Sequence, residues 1–480
     1  MSQKVGRVSP GKWIALIVAA FCMLATGFVP PPEGLSQSGF QVLGIMIGAS
    51  ILFLSWGTGW PSMATIFAFL TVPALNANQI FSATLMFTFM LAGCLIQSGV
   101  AKRVSVWFLT NKLARRSPWW TVAMLLIANF VISLFLSSAT TFMIMFPIVE
   151  EMLRVCGVTK DKKAPIATAL ILGVLVTGLL SNGGNPIAHA MTLQGFSFYE
   201  GYAGQPMDFF TYCVICTPVT IVACILFFLL LRFVWRPDMS ALTNIDYDAL
   251  SAGLGQMSKK EKWSAVFYLL CVLFWLLPGL TQYIWPAASE AFFSKVQQCL
   301  PPLLALFLMN FIKVDGSPIF EWKDAVGSVN WNILLFMASI MGLGAFMGNA
   351  DLGITTWLSS IFSPIFANVS PTIFILVILL FVTILCNFCT ASVPLSIAFA
   401  IAMPLCQGIY AGQINPVVMA SLATVLASCA WSTAPSSPIS AISYGSGWVR
   451  PGDMIKWGFI TSMLCVLTAM TVGLAIGNAF

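Results

Sequence analysis

The segment Leu180-Ser181-Asn182-Gly183-Gly184-Asn185-Pro186 breaks an otherwise apolar stretch over residues 165 to 196. Ser432-Thr433-Ala434-Pro435-Ser436-Ser437-Pro438 breaks the stretch 414 to 447 with the same grammar. In each, small or imino residues interrupt the helix, and a capping residue (Asn185 or Ser437) precedes a proline suited to the first helical position. The paired Gly183 and Gly184 also admit unusual backbone angles. Irregular backbone survives in an apolar bilayer only where protein buries it or a wet cavity borders it. Two such breaks therefore predict discontinuous transmembrane helices, each restarting with its positive end toward the membrane interior.

Composition supports a membrane setting. Of 480 residues, 59% are hydrophobic and 8% charged, with 22 Lys/Arg, 16 Asp/Glu and one His. A soluble domain carries about 25% charge, so nucleic-acid binders, secreted disulfide-stapled domains and soluble Rossmann-type enzymes are excluded. The 13 cysteines read as small membrane-packed residues rather than as a disulfide framework or a metal site. Lys4, Arg7 and Lys12 ahead of the apolar run 13 to 29 resemble a signal peptide, but without a small-x-small cleavage pattern the run reads as an uncleaved first span.

Hydropathy places spans at 13–29, 39–56, 61–75, 80–100, 165–196, 208–231, 263–281, 298–312, 329–349, 414–447 and 457–478. Two further apolar stretches, 119–156 and 370–405, read as re-entrant hairpins. With an inward N-terminus this arrangement puts 21 of the 22 basic residues on the cytoplasmic side, Lys295 alone falling outside. Either hairpin read as a single crossing would destroy that bias. The predicted fold is thus an all-α polytopic membrane protein with about 11 transmembrane helices and two re-entrant hairpins, its C-terminus extracytoplasmic.

The halves match at an offset of 251 to 253 residues. Ser117-Pro118 opens the first hairpin and Ser370-Pro371 the second; the tips read Ser137-Ser138-Ala139-Thr140-Thr141 and Thr390-Ala391-Ser392-Val393-Pro394. An odd number of crossings between the copies makes this an inverted-topology repeat, as in many secondary transporters. The first repeat spans 1–233, the second 263–480, and a polar cytoplasmic linker, 234–262, joins them. The stretch Lys102 to Arg116 reads as a surface helix before the first hairpin, and Leu352 to Phe362 as its counterpart.

Two tips and two breaks would bring four positive helix ends near the midplane, an anion site flanked by hydroxyls and carbonyls that suit small cations. No Asp, Glu, Lys or Arg lies in these motifs. The titratable candidate is His189, readable as a hydrogen-bonded spacer between helices or as a proton or substrate contact.

At these residues the chain resembles the divalent anion/sodium symporter family of the ion transporter superfamily. The run Ser436-Ser437-Pro438-Ile439-Ser440-Ala441-Ile442-Ser443-Tyr444-Gly445-Ser446-Gly447, with Asp453-Met454-Ile455-Lys456 after it, is similar to that family's second helix break and the segment that follows. Ser137 to Thr141 with Pro147 resembles its first Ser-Asn-Thr tip. The sequence departs from the pattern at Ser138 and Ala139, at the second tip, which has no Ser-Asn-Thr, and at Ala188 and Ser440, where the family has Asn. The resemblance implies a homodimer with scaffold and elevator-type transport domains, a dicarboxylate, citrate or sulfate-like substrate, and sodium sites between each tip and its break.

The combined reading is a secondary active transporter of a small anion, of the di- or tricarboxylate kind, driven by sodium. Substrate contacts are expected from Ser137, Ser138, Asn185, Thr390, Ser392, Ser437 and Pro438, and cation contacts from Ser137, Asn182, Gly183, Thr433 and Ser436. Proton coupling, anion exchange and a passive anion channel stay open as alternatives. An enzyme is disfavoured because no catalytic or metal-binding cluster lies in the spans, and no phosphate-binding loop is present. The expected partners are the anion, the bilayer and a second copy; no organic cofactor is expected, only Na+ or H+.

Overall fold

The computed structural model describes residues 9–57, 59–70, 72, 83–160, 164–186, 190–244, 256–287, 300–329, 331, 334–335, 338–339, 342, 346 and 349–479. It is a helical bundle. Helices α1 (Pro10–Ala25), α2 (Gln37–Trp56), α3 (Gly59–Leu70) and α4 (Ala83–Gln97) come first. Then α5 (Val100–Thr110) buries Ala101, Ser105, Val106 and Leu109 on one face, and it ends short of Arg116, where a separate 3-10 turn (Ala114–Arg116) stands.

The first hairpin is α6 (Pro118–Ser133) and α7 (Ser138–Val155). Ser117 caps α6 by accepting from the Trp120 amide, with Pro118 in the first turn. Helix α8 (Pro165–Gly184) follows, buried at every residue from Ile166 to Gly184. A helix apolar all round can be satisfied only at the centre of a bundle, and α8 packs on α6, α7 and α10. Beyond the break come α9 (Ala190–Ala203) and α10 (Phe209–Leu229), the latter prolonged by a π-helical turn to Trp235.

The linker carries a 3-10 turn at Ser240–Asn244, and α11 (Lys259–Ile284) begins before residue 263 because Ser258 and Glu261 form a reciprocal capping box. Glu261 also pairs with Arg103 of α5 at 3.1 Å, tying the start of the second half to the first. Helix α12 (Leu300–Phe311) leads into a two-residue hairpin, Lys313–Val314 against Ser317–Pro318, turned by Asp315 and Gly316 at positive φ. The short α13 (Trp322–Gly327) follows.

The second half repeats the plan. Helix α14 (Ile354–Phe366) meets α15 (Pro371–Cys386) at 112°, and α15 forms a hairpin with α16 (Ser392–Gln407). The second broken element is α17 (Pro416–Ala427), a 3-10 turn at Ala434–Ser436 and α18 (Pro438–Gly445). The last helix, α19 (Pro451–Thr468), runs on to Gly477 and packs against its repeat counterpart α10.

Among the described residues, four helices are long and apolar enough to cross a bilayer alone: Gln37–Trp56, Pro165–Gly184, Phe209–Trp235 and Pro451–Gly477. The difference from about 11 has a physical cause. The first helix, of 16 residues, and the two pieces of the second broken element, of 12 and 8 residues, each span less than the ~30 Å hydrocarbon thickness. The expected spans at 61–75, 80–100, 298–312 and 329–349 also fall partly outside the described residues.

Twelve cysteines are described, all free. Two pairs stand at C-x-x-C spacing, Cys213/Cys216 and Cys386/Cys389, without a disulfide in either: Cys216 reaches Ser421 O at 3.5 Å, Cys386 reaches Cys429 O at 3.3 Å and Cys389 reaches Leu385 O at 3.2 Å.

Helices α1 and α2 meet through small residues, since a Cβ on Gly48 would come 2.7 Å from Ala19 O. Replacing Gly48 by Leu is expected to separate the pair and lower the thermal midpoint of the purified protein, at a cost of about 1–3 kcal/mol for overpacking, whereas Gly11→Leu, with open space around it, leaves the midpoint unchanged.

Candidate functional site

Helix α8 ends at Gly184, and the last four carbonyls of a helix have no partner within it. Here protein side chains supply partners to all four. Asn185 Nδ2 donates to Ser181 O at 3.1 Å, Thr192 Oγ1 to Asn182 O at 3.2 Å, Tyr212 Oη to Gly183 O at 2.7 Å and Thr217 Oγ1 to Gly184 O at 2.9 Å. Each carbonyl keeps a second lone pair, so the break stays usable by a cation while no oxygen is left bare.

The Asn182 side chain does something else. Its Oδ1 accepts from the Ser138 amide at the start of α7, and its Nδ2 donates to Ser133 O and, at 2.9 Å, to Leu136 O at the end of α6. Asn182 is therefore the clamp that closes the first hairpin tip onto the first break. Ser137 caps α7, its Oγ 2.9 Å from Thr140 Oγ1. The Ser138 and Thr140 amides at this tip both have side-chain acceptors.

The second half-site has a related clamp that the sequence reading did not single out. Asn387, buried at the end of α15, accepts with Oδ1 from the Ser432 amide at 2.9 Å and the Trp431 amide at 3.4 Å. Its Nδ2 donates to Thr383 O at 2.8 Å and Ser462 Oγ at 3.2 Å, and its carbonyl accepts from Thr433 Oγ1. The bonds Asn182 to Leu136 O and Thr433 to Asn387 O are related by 251 residues at both ends, within the repeat offset. An Asn in an otherwise apolar arm was the available signal.

At the second break the predicted cap is present. Ser437 accepts from the Ser440 amide at 3.2 Å and Pro438 opens α18. Ser436 Oγ donates to Thr433 O at 2.6 Å. At the second tip, α16 starts at Ser392 with Ala391 before it and no side-chain cap, so the arm begins two residues after Thr390.

Two contacts join the half-sites. A Cβ on Gly183 would lie 2.6 Å from Ser428 Oγ and 3.2 Å from Val425 O, so only glycine lets the end of α8 reach the end of α17. A Cβ on Gly184 would likewise lie 2.6 Å from Thr220 Oγ1. Both glycines are helical with ordinary backbone angles, so close approach rather than backbone freedom explains the pair. Across the repeats, Gln194 of α9 donates to Ser392 O at 3.2 Å and to Ser396 Oγ at 3.3 Å, and Ser392 Oγ contacts Met191 Sδ at 3.4 Å.

Several buried oxygens around this junction have no hydrogen-bond partner among the described residues: Ser133 Oγ, Thr141 Oγ1, Gln194 Oε1, Thr390 Oγ1, Ser428 Oγ and Ser432 Oγ. Such groups are uncommon, and a bound ion or water is one recognised explanation. Pro186 is a bend rather than a helical residue, and the restart expected there runs into residues 187–189. His189 lies outside the described residues with them.

Two hairpin tips are thus clamped onto two touching helix breaks. The family model described as the sodium:sulfate symporter transmembrane region matches residues 11–480, and the chain belongs to that family, a multi-pass membrane protein. It is similar to the sodium-dependent dicarboxylate transporter SdcS of Staphylococcus saprophyticus, 24% identical over 490 residues, covering 96% of this chain and 91% of the relative. It is also similar to the Na(+)/dicarboxylate cotransporter 3 of Rattus norvegicus, 24% identical over 259 residues, 48% of this chain and 42% of that one. The crystal structure of the Alcanivorax borkumensis YdaH transporter shares the fold with a TM-score of 0.56 at 14% identity, covering 98% of each chain.

Asn182→Ala is expected to destabilise the protein by about 1–3 kcal/mol for each buried backbone group left without a partner. Asn182→Asp should do nearly as much harm, because a carboxylate cannot donate to Ser133 O or Leu136 O. Thermal unfolding of the purified variants checks this; a stable Asn182→Asp protein with tighter sodium binding would mean that the side chain is a cation ligand instead.

Proposed function

We propose that this protein is a sodium-coupled symporter of a small carboxylate, a di- or tricarboxylate, working by elevator-type alternating access. The observation that carries the reading is the junction of the two helix breaks at Gly183 and Ser428, each break clamped to its own hairpin tip. The relatives named as sodium-dependent dicarboxylate transporters support the substrate class and the ion.

In this account the cations bind between each tip and its break. Ser137 with the Asn182 and Gly183 carbonyls forms the first site, and Thr433, Ser436 and the unpartnered Ser432 and Thr390 hydroxyls the second. The carboxylate lies between Ser137, Ser138 and Asn185 on one side and Thr390, Ser392, Ser437 and Pro438 on the other, held by neutral donors and helix ends. Sodium neutralises substrate charge where the protein supplies no fixed cation. The mobile body comprises the hairpins, the broken helices and α10 and α19; α1 to α4 with α11 and α12 are the scaffold through which two copies associate. The N-terminus faces the cytoplasm and the C-terminus the opposite side.

Uptake of labelled succinate and citrate into proteoliposomes tests the proposal. An inward sodium gradient should drive accumulation, and a proton gradient or preloaded cold anion alone should not. Accumulation under the proton gradient alone, or only by exchange, would overturn sodium coupling; conductance without accumulation would indicate a channel. Asn185→Ala and Ser437→Ala should each reduce kcat/KM by roughly tenfold or more, the loss expected for a contact made to the transported complex. Normal transport by both would remove those residues from the site.

A further inference from the structure

Helices α6 and α10 flank α8 and leave a furrow between them on the outside of the bundle. At its polar end is a cavity of 360 Å³ walled by Pro118 and Trp119 at the start of α6, by Arg232 and Arg236 near the end of α10, and by the turn from Pro237 to Ser240. Farther along the same helices is a cavity of 230 Å³ lined by Ala123, Ile127, Phe130, Ile221, Ile225 and Phe228. Trp119 and Phe228 meet edge to face at 6.1 Å, one ring in each wall, and so connect the two. Ile127, Ile221 and Ile225 are 42%, 42% and 53% exposed, which leaves the apolar part open to the side where lipid chains would lie.

The polar end is built around two guanidinium groups. Arg232 lies 5.4 Å from the centre of the Trp119 ring, a contact that leaves its N–H edges open for an anion. Arg236, the residue at which the helix turns, has the left-handed φ of 52° and donates from Nε to Phe233 O at 2.7 Å. Among the described residues neither has a carboxylate within ion-pair distance. Asp238 in the same wall accepts from the Ser240 amide at 2.9 Å.

The geometry points to a binding site for an anionic glycerophospholipid, its phosphodiester between Arg232 and Arg236 and one acyl chain lying in the furrow between α6 and α10. Basic pockets between transmembrane helices on the cytoplasmic side suit such headgroups, and the positive-inside rule puts this end of α10 there. The furrow from Trp119 to Phe130 is about 16 Å long at the helical rise, close to half the ~30 Å hydrocarbon core, the length of one leaflet. A soluble anion would use the arginines and leave the apolar cavity unexplained. Because α6 and α10 border α8, a lipid held here would sit against the body that carries the transport site.

Native mass spectrometry of the purified, delipidated full chain tests this, with phosphatidylglycerol and phosphatidylcholine of identical acyl chains as probes. Phosphatidylglycerol should bind with a preference of roughly 30-fold, as two basic residues near a headgroup would confer. The double substitution Arg232→Gln with Arg236→Gln should abolish the preference, and Arg232→Lys with Arg236→Lys should retain much of it. Ile225→Trp, which fills the furrow, should weaken both lipids. Equal binding of the two lipids by the unsubstituted protein would overturn the proposal without reliance on any variant. So would displacement of phosphatidylglycerol by glycerol phosphate, which would reveal a soluble-anion pocket, or a failure of both lipids to bind a dimer whose partner covers the furrow.

Discussion

One carboxamide, that of Asn182, ties the end of the most buried helix to the tip of the first hairpin. Helix α8 cannot stop inside an apolar bundle without partners for its last carbonyls, and the hairpin cannot turn there without partners for its own. Asn182 supplies an acceptor and two donations at the point where both demands arise. With Thr192, Tyr212 and Thr217 serving the carbonyls, the break is held open as a feature of the fold rather than as a defect. The second half reaches the same end by Asn387 and Thr433, using a different residue at each position.

That substitution of parts explains how much could be read in advance. The hairpins and breaks were legible because caps and prolines obey local rules: Ser117-Pro118, Ser370-Pro371 and Ser437-Pro438 all open helices where expected. The recurrence of hairpin and break in the second half was legible from the offset of 251 to 253 residues. The role of Asn182 was not, because a polar side chain beside a predicted cation site reads as a ligand until the carbonyls of the neighbouring arm are located. Gly183 and Gly184 were assigned to backbone freedom, yet they are required by Ser428 and Thr220, which lie on other elements. Asn387 and Gln194 make their bonds across distances in sequence that no local motif encodes.

Under the proposed function the site works without a fixed charge from its motifs, since no Asp, Glu, Lys or Arg lies in the tips or the breaks. Both tips lack the Asn of the family pattern, and the junction offers hydroxyls, amide oxygens and backbone carbonyls in their place. Hard monovalent cations take such oxygens readily, and a bound cation then supplies the positive charge that draws in a carboxylate. The cation and the anion are therefore expected to bind as one unit, which is the physical basis of coupling: each raises the affinity of the other by the same factor.

The most direct test of that interdependence is the thermal unfolding midpoint of the purified protein in sodium chloride and in potassium chloride at equal ionic strength, each with and without succinate. A ligand that binds the native state raises the midpoint. The account predicts a higher midpoint in sodium, raised further by succinate, with no effect of succinate in potassium. Stabilisation by succinate to the same extent in both salts would contradict it.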